Sequence, residues 1–208
     1  MRILSVNVGL PRFVEWGGRN ILTGIYKQPV AGPVPIDFLN LNGDQQADLT
    51  VHGGPDKAVY AYDTDHYVYW RNEINQDDCT PGLFGENLTT EGLVEYEVRI
   101  GDLFQVGSAR LRAVQPRFPC YKLNIRFNDA GMVRRFAKSG RSGIYFKVVE
   151  AGVVQTDDQI TLLEAARTTI TIRDVNQFIL NRMVDEAFRA RLVALPHLPD
   201  SLKMHFRH

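Results

Sequence analysis

The sequence predicts a mainly β protein with helices, ending in a small three-helix domain. Three observations carry this reading. From Met1 to about Leu163, many short β-rich runs are separated by turns bearing Gly and Pro, which argues for a barrel or a sandwich. Two stretches with apolar residues three to four apart interrupt those runs as helices. After about Ala165 the spacing turns helical throughout. The chain therefore divides into a β domain over 1–165 and a helical domain over 166–208.

Taken in order, Ile3 to Val8 is the first strand and Ala58 to Tyr62 a second short β-rich run. Asp63-Thr64-Asp65 then places acidic and capping residues ahead of Tyr67, Trp70, Arg71 and Ile74, which predicts a helix. Ala109 to Val114 sets Ala109, Leu111 and Ala113 against Arg110 and Arg112, the alternation of a half-buried strand. Asp129 is placed to cap a second helix, with Val133, Phe136 and Ala137 on its inner face. Ile144 to Val149 and Thr168 to Ile172 are β-branched runs expected as strands.

Thr171-Ile172-Arg173-Asp174 resembles a capping box, with Asp in the place of Glu or Gln, and Val175, Phe178 and Ile179 follow at helical spacing. Val184, Phe188 and Leu192 mark a further helix that ends near Pro196, and a third runs from Asp200 to Phe206. Some 40 residues lie near the lower limit for folding unaided, so these helices are expected to pack on the β part.

Composition narrows the function. Twenty-four basic residues balance twenty-four acidic ones, so no global field draws the chain to a nucleic acid polymer or an anionic membrane. The first residues hold no apolar run long enough for a signal peptide, and no stretch approaches the roughly 20 apolar residues of a membrane span. A cytoplasmic location is expected. Cys79 and Cys120 are too few for a disulfide framework or a structural zinc site.

Three segments are richer in functional side chains than packing requires. In 43–58, the glycines Gly53 and Gly54 let backbone amides approach an anion, Lys57 adds a positive charge, and His52 can donate a hydrogen bond or move a proton near neutral pH. The same residues also suit a tight turn with a surface histidine. Gly85-Glu86-Asn87 offers the Asn87 amide to a polar ligand but equally suits a plain turn. In Gln115–Lys122, Pro116 and Pro119 stiffen a loop that holds Cys120 between Arg117 and Lys122. Such cations favour a thiolate, the form that ligates metals or attacks electrophiles. Cys79, in the acidic stretch before Pro81, has neighbours of the wrong sign.

Together these segments resemble the MOSC family, and within it the YiiM-like branch. The resemblance rests on Thr23-Gly24-Ile25-Tyr26-Lys27, on Gly43-Asp44 with Asp48 and His52-Gly53-Gly54, on Gly85-Glu86-Asn87-Leu88, on Ile100-Gly101-Asp102, and on Gln115-Pro116-Arg117 with Pro119-Cys120. It covers essentially the whole chain. It implies a MOSC-type β-barrel whose mouth binds the molybdenum–molybdopterin cofactor, with Cys120 as ligand of the metal, since a soft thiolate suits a metal already held by sulfur. It further implies reduction of N-hydroxylated bases such as 6-hydroxylaminopurine, with oxygen removed from the substrate and the amine leaving after protonation. Arg19, Lys57, Arg117 and Lys122 are then candidates to neutralise the cofactor's phosphate. His52 is the candidate for proton delivery or for fixing the pterin, and Thr23 and Asn87 are candidate polar contacts. No flavin, haem or iron–sulfur signature is present, so electrons are expected from a separate reductase, a flavoprotein.

Two departures from the family pattern bear on substrate choice. Asp157-Asp158 stands where the family often has Gly-Asp, and position 118 is a bulky Phe. Three rival readings use the same residues: a sulfur carrier with a Cys120 persulfide, a cysteine hydrolase pairing Cys120 with His52, and a non-enzymatic binding module.

Overall fold

The computed structural model describes residues 1–48, 53–74 and 79–206. Its early strands are β1 (Arg2–Val8), β2 (Arg12–Trp16), β3 (Arg19–Thr23), β4 (Gln28–Val30) and β5 (Val34–Ile36). A 3₁₀ turn (Pro55–Lys57) leads into β6 (Val59–Asp63), α1 (Thr64–Ile74) and β7 (Leu88–Glu91). Then come β8 (Leu103–Val106), β9 (Ala109–Pro116), α2 (Tyr121–Phe127) and α3 (Met132–Ser139). The strands finish with β10 (Ile144–Glu150), β11 (Gly152–Val154) and β12 (Ile160–Glu164), and the chain with α4 (Ile172–Leu180), α5 (Glu186–Ala194) and α6 (Asp200–Met204).

Eight strands form one sheet in the order β12-β8-β9-β10-β6-β7-β1-β4. The expected barrel is not closed by a strand ladder. A single bridge, Arg2 with Gln159, joins the far ends of the sheet. It is flanked by hydrogen bonds from the Ile3 amide to the Asp158 carbonyl (2.9 Å) and from the Ile160 amide to the Met1 carbonyl (2.9 Å). The physical reason is local: β4 occupies the rim of β1 over Val6–Val8, which leaves only Met1–Ile3 for the returning chain. Asp157, at φ 71°, takes the left-handed turn ahead of β12 that a glycine would adopt more cheaply.

The strand β6 explains how one sheet serves two cores. Side chains alternate across a strand. Val59 and Ala61 enter the main apolar core with Leu111, Phe146 and Val148. Tyr60 and Tyr62 face the other way, into an aromatic layer with Trp70, Phe84 and Phe136 beneath α1, α2 and α3. Every residue of β6 is therefore buried. β6, α1 and β7 make a crossover unit, and β6–β7 is a parallel pair. Asp63 starts α1 as expected, accepting the Asp65 amide (3.0 Å), while its second oxygen takes the Leu93 amide (2.9 Å).

Two expectations need correction, and one helix was not foreseen. Thr168–Ile172 is not a strand: Thr171 makes one isolated bridge to Arg99, and Ile172 already opens α4. Helix α2 follows Cys120 directly and carries no side-chain cap to signal it. The N-cap of α3 is Gly131, with Asp129 two residues earlier accepting the Gly131 amide (2.7 Å), and its buried face is Met132 and Phe136.

The C-terminal helices do pack on the sheet. Val175, Phe178, Leu192, Leu202 and Phe206 share one apolar cluster with β8, β9 and β10. Helix α4 begins with the reciprocal box read from sequence: Thr171 accepts the Asp174 amide (3.1 Å) and Asp174 accepts the Thr171 amide (2.9 Å). Thr171→Ala should cost about 1 kcal/mol of unfolding free energy in a urea titration. A loss near zero would mean that packing, not capping, starts this helix.

Candidate active site

A cleft opens where the end of β3, the 44–47 loop, the 3₁₀ turn, β6 and the β9–α2 connection meet. It encloses about 90 Å³, or about 660 Å³ with its mouth included. Thr23, Lys57, Asn87, Arg117, Cys120 and Lys122, which are distant in sequence, all line it. Lys27, Asp44, Tyr60, Phe118 and Tyr145 complete the walls.

The frame of this cleft is a buried polar chain. Lys27 and Asp44 form an ion pair with both side chains almost fully covered. Asp44 also accepts the Gly9 amide (3.1 Å) and the Asn87 side-chain amide (2.9 Å). Asn87 in turn accepts the Tyr60 amide (3.1 Å) through its side-chain oxygen. Asn87 thus borders the cleft but spends its amide on Asp44 and the Asn7 carbonyl, so its role is to hold β6, β1 and the 44–47 loop together. Burial lowers the Lys27 pKa, with Asp44 opposing the shift. Gly24 lets β3 close on this loop, because a Cβ there would sit 2.6 Å from the Gln45 carbonyl oxygen.

Glu86 is likewise internal. It accepts the Tyr67 hydroxyl, the Thr89 hydroxyl (2.9 Å) and the amides of Gly82 (2.7 Å) and Phe84 (3.1 Å). The Gly85-Glu86-Asn87 motif is therefore a structural knot that braces the cleft from behind.

Arg117 sets the electrostatics. Its guanidinium is buried, lies 5.0 Å from the Tyr60 ring centre and 5.2 Å from that of Phe136, and leaves one buried Nη1 without a hydrogen-bond partner among the described residues. Burial works against its charge, but the Tyr60 and Tyr145 hydroxyls and the Cys120 thiol push the other way and raise its pKa. Arg117 stays charged. A buried donor left unmade costs about 1–3 kcal/mol, so this N–H is suited to an acceptor in the cleft, whether water or a ligand. Burial also raises the Tyr145 pKa, keeping its phenol protonated.

Cys120 is half-buried at the N-cap position of α2 and makes no side-chain cap hydrogen bond. Lys57 reaches the cleft from the 3₁₀ turn, which Gln115 pins by donating to the Asp56 carbonyl (3.0 Å). Lys122, the second residue of α2, is buried and lines the same cleft. A soft thiol beside buried cations and an unfilled N–H is a donor set that fits a metal carried by an anionic, phosphate-bearing cofactor.

Some sequence candidates stand elsewhere. Arg19 pairs with Trp16 at the exposed turn of the β2–β3 hairpin, away from the cleft lining. Gly53 and Gly54 are not among the residues lining the cleft; Gly54 has φ 93°, a backbone that favours glycine, and no protein atom stands where a Cβ would project. His52 lies outside the described residues. Sequence reading missed Lys27 and Tyr145 as wall residues. Lys27 sits within a quoted motif, and a buried lysine needs a partner, which was a usable signal.

The MOSC domain profile matches residues 48–161, more than half of the chain. The chain belongs to the MOSC family. It is 34% identical over 181 residues to the protein YiiM of Escherichia coli, spanning 86% of this chain and 80% of that one. It is 35% identical over 197 residues to a protein of Gibberella moniliformis named Reductase, spanning 93% of this chain but 35% of the fungal one. The solved structure of YiiM from Geobacillus stearothermophilus superposes with a TM-score of 0.84 at 30% identity, covering 99% of this chain and 97% of that one. This MOSC chain shares with it a mainly β architecture with added helices.

The polar frame is open to a double-mutant test. Lys27→Met strands the buried Asp44 charge and should lower unfolding free energy by about 3–5 kcal/mol. Adding Asp44→Asn removes that charge and should restore part of the loss. Equal losses in the single and double variants would show that the ion pair does not hold the loop.

Proposed function

We propose that this MOSC chain is a molybdenum-cofactor-dependent oxidoreductase that reduces N-hydroxylated bases and related small molecules to the amine, a detoxifying reaction in the cytoplasm. The observation that carries the reading is Arg117: a buried guanidinium with an unpaired N–H, in a cleft that also holds the Cys120 thiol. Family membership and the names of the fungal and bacterial relatives support a reductase-type activity.

In this reading Cys120 ligates the metal, and Arg117, Lys57 and Lys122 hold the cofactor's phosphate end. Molybdopterin with its metal, when bound, supplies the two-electron step that no side chain can. The balance is R–NH–OH plus two electrons and two protons giving R–NH₂ and water. Tyr145, protonated and on the cleft wall, would orient the departing oxygen or nitrogen by hydrogen bonding, and His52 would deliver a proton or fix the pterin. The electrons come from a separate reductase, a flavoprotein.

Molybdenum content is the direct test. Protein from a molybdenum-replete host should carry the metal, Cys120→Ser should lose most of it, and Cys79→Ser should match wild type, because an alkoxide-like oxygen poorly replaces a soft thiolate. Equal metal in the two variants removes Cys120 as ligand. Wild-type protein free of molybdenum, with a persulfide on Cys120, would favour sulfur transfer instead.

A second test separates anchoring from chemistry. Arg117→Met and Lys57→Ala should lower molybdenum per chain while turnover per metal with 6-hydroxylaminopurine and a chemical reductant stays near wild type. His52→Gln should keep its metal and lose about 10²–10⁴-fold in rate. Full metal and full rate in all three variants would place the site elsewhere.

A further inference from the structure

A second, larger cavity of about 800 Å³ adjoins the cleft. Lys57, Phe118, Cys120 and Tyr145 line both, so Cys120 stands at their junction. The far walls come from the C-terminal helices: Phe178 and Ile179 from α4, Leu202 and Phe206 at α6, and the α4–α5 turn with Arg182, Met183 and Val184. Its volume lies within the roughly 300–1,000 Å³ of small-molecule sites.

Core packing explains Phe178, Leu202 and Phe206, which are buried in the main cluster. It does not explain the turn. Val184 is 84% exposed and Met183 47% exposed, although both are apolar. Between them and α4, Arg182 takes the left-handed conformation (φ 48°) that closes the helix: its amide bonds the Ile179 carbonyl (3.2 Å) and the Met183 amide the Phe178 carbonyl (3.1 Å). The helix end accounts for the backbone but not for the adaptable methionine and the bare valine it carries at the edge of the cavity.

Charge narrows what that is. Lys57, Arg182, Arg189 and His205 line the cavity, and among the described residues no Asp or Glu does. Arg189 is partly offset by exposed Glu186 at 3.1 Å and Lys57 by the neighbouring Asp56, which leaves Arg182 as the main selecting charge. The walls offer aromatic and aliphatic surface under a rim of positive charge.

From this we infer that the cavity is the substrate chamber, and that its α4–α5 turn selects flat aromatic compounds that are neutral or anionic and rejects cationic ones. The inference rests on the reductase reading and adds to it a place and a selection rule. The reacting N–OH group points towards Cys120, the ring lies between Phe118 and the apolar face of the turn, and an acidic substituent reaches Arg182.

Three probes of one shape and different charge test this without turnover: 2-naphthoate, 2-naphthamide and 2-naphthamidinium. Calorimetric titration of the full-length protein, prepared from cofactor-replete and cofactor-deficient hosts, should show the anion and the amide binding at least about tenfold more tightly than the cation, a screened one-charge effect. Arg182→Glu should bring the cation to parity or better, and Met183→Ser should weaken all three. Both side chains are exposed, so neither change threatens the fold. No measurable binding, equal affinities for the three, or an unchanged ranking in Arg182→Glu would overturn the chamber. Selective binding with no reduction of any N-hydroxylated compound would leave the chamber standing and defeat the reductase reading. Reduction at a rate ranking that ignores substrate charge would do the reverse.

Discussion

Everything at the cleft depends on a buried carboxylate with three claims on it. Asp44 takes the Lys27 ammonium, the Gly9 amide and the Asn87 side-chain amide at once. Those donors belong to the turn after β1, the start of β4 and the approach to β7, elements scattered through the first 90 residues. A buried charge is tolerated only when its partners are fixed, so the network forces these elements into one arrangement. With Asn87 also gripping Tyr60, the wall of the cleft inherits that rigidity. The 3₁₀ turn and the proline-bearing β9–α2 connection set Lys57 and Cys120 against that wall.

On that wall the charges are divided into two kinds. Lys27 is compensated inside the protein, and Glu86 is consumed by four donors of its own neighbourhood. Arg117 is different: aromatic faces cover its flat surfaces while one N–H is left open among the described residues. The protein thus spends its acidic side chains on architecture and leaves basic ones facing the cleft. An anion entering there meets donors already desolvated and oriented, which makes each contact stronger than it would be at an exposed lysine.

Much of this was legible before any coordinates. The Thr171–Asp174 box, the alternation in β9 and the helix after Asp63 are local rules, and each element forms where its residues demand. The stiff loop that sets Cys120 between Arg117 and Lys122 was visible for the same reason, since two prolines act on their own neighbours. What stayed hidden is tertiary. Tyr60 and Tyr145 read as ordinary strand residues, and only the pairing of β6 with β10 sets them side by side, with ring centres 5.1 Å apart. That Asn87 borders the cleft while its amide reaches Asp44, 43 residues away, could not be read from its own neighbourhood. The α4–α5 turn shows no motif at all. Arg19 failed for the opposite reason: its charge suited the cleft, but its hairpin carries it elsewhere.

The single bridge between Arg2 and Gln159 has a consequence for how the chain is made. Met1, Arg2 and Ile3 can complete their backbone pairing only when residues 157–160 arrive, so the start of β1 waits for nearly the last part of the sheet. At about 5–20 residues per second, that interval is roughly 8–30 s on the ribosome. During it the rim of β1 stays available to solvent, chaperones or other nascent chains, and the C-terminal helices have no finished surface to settle on. The half-chamber they build beside Cys120 therefore follows the sheet in the order of assembly.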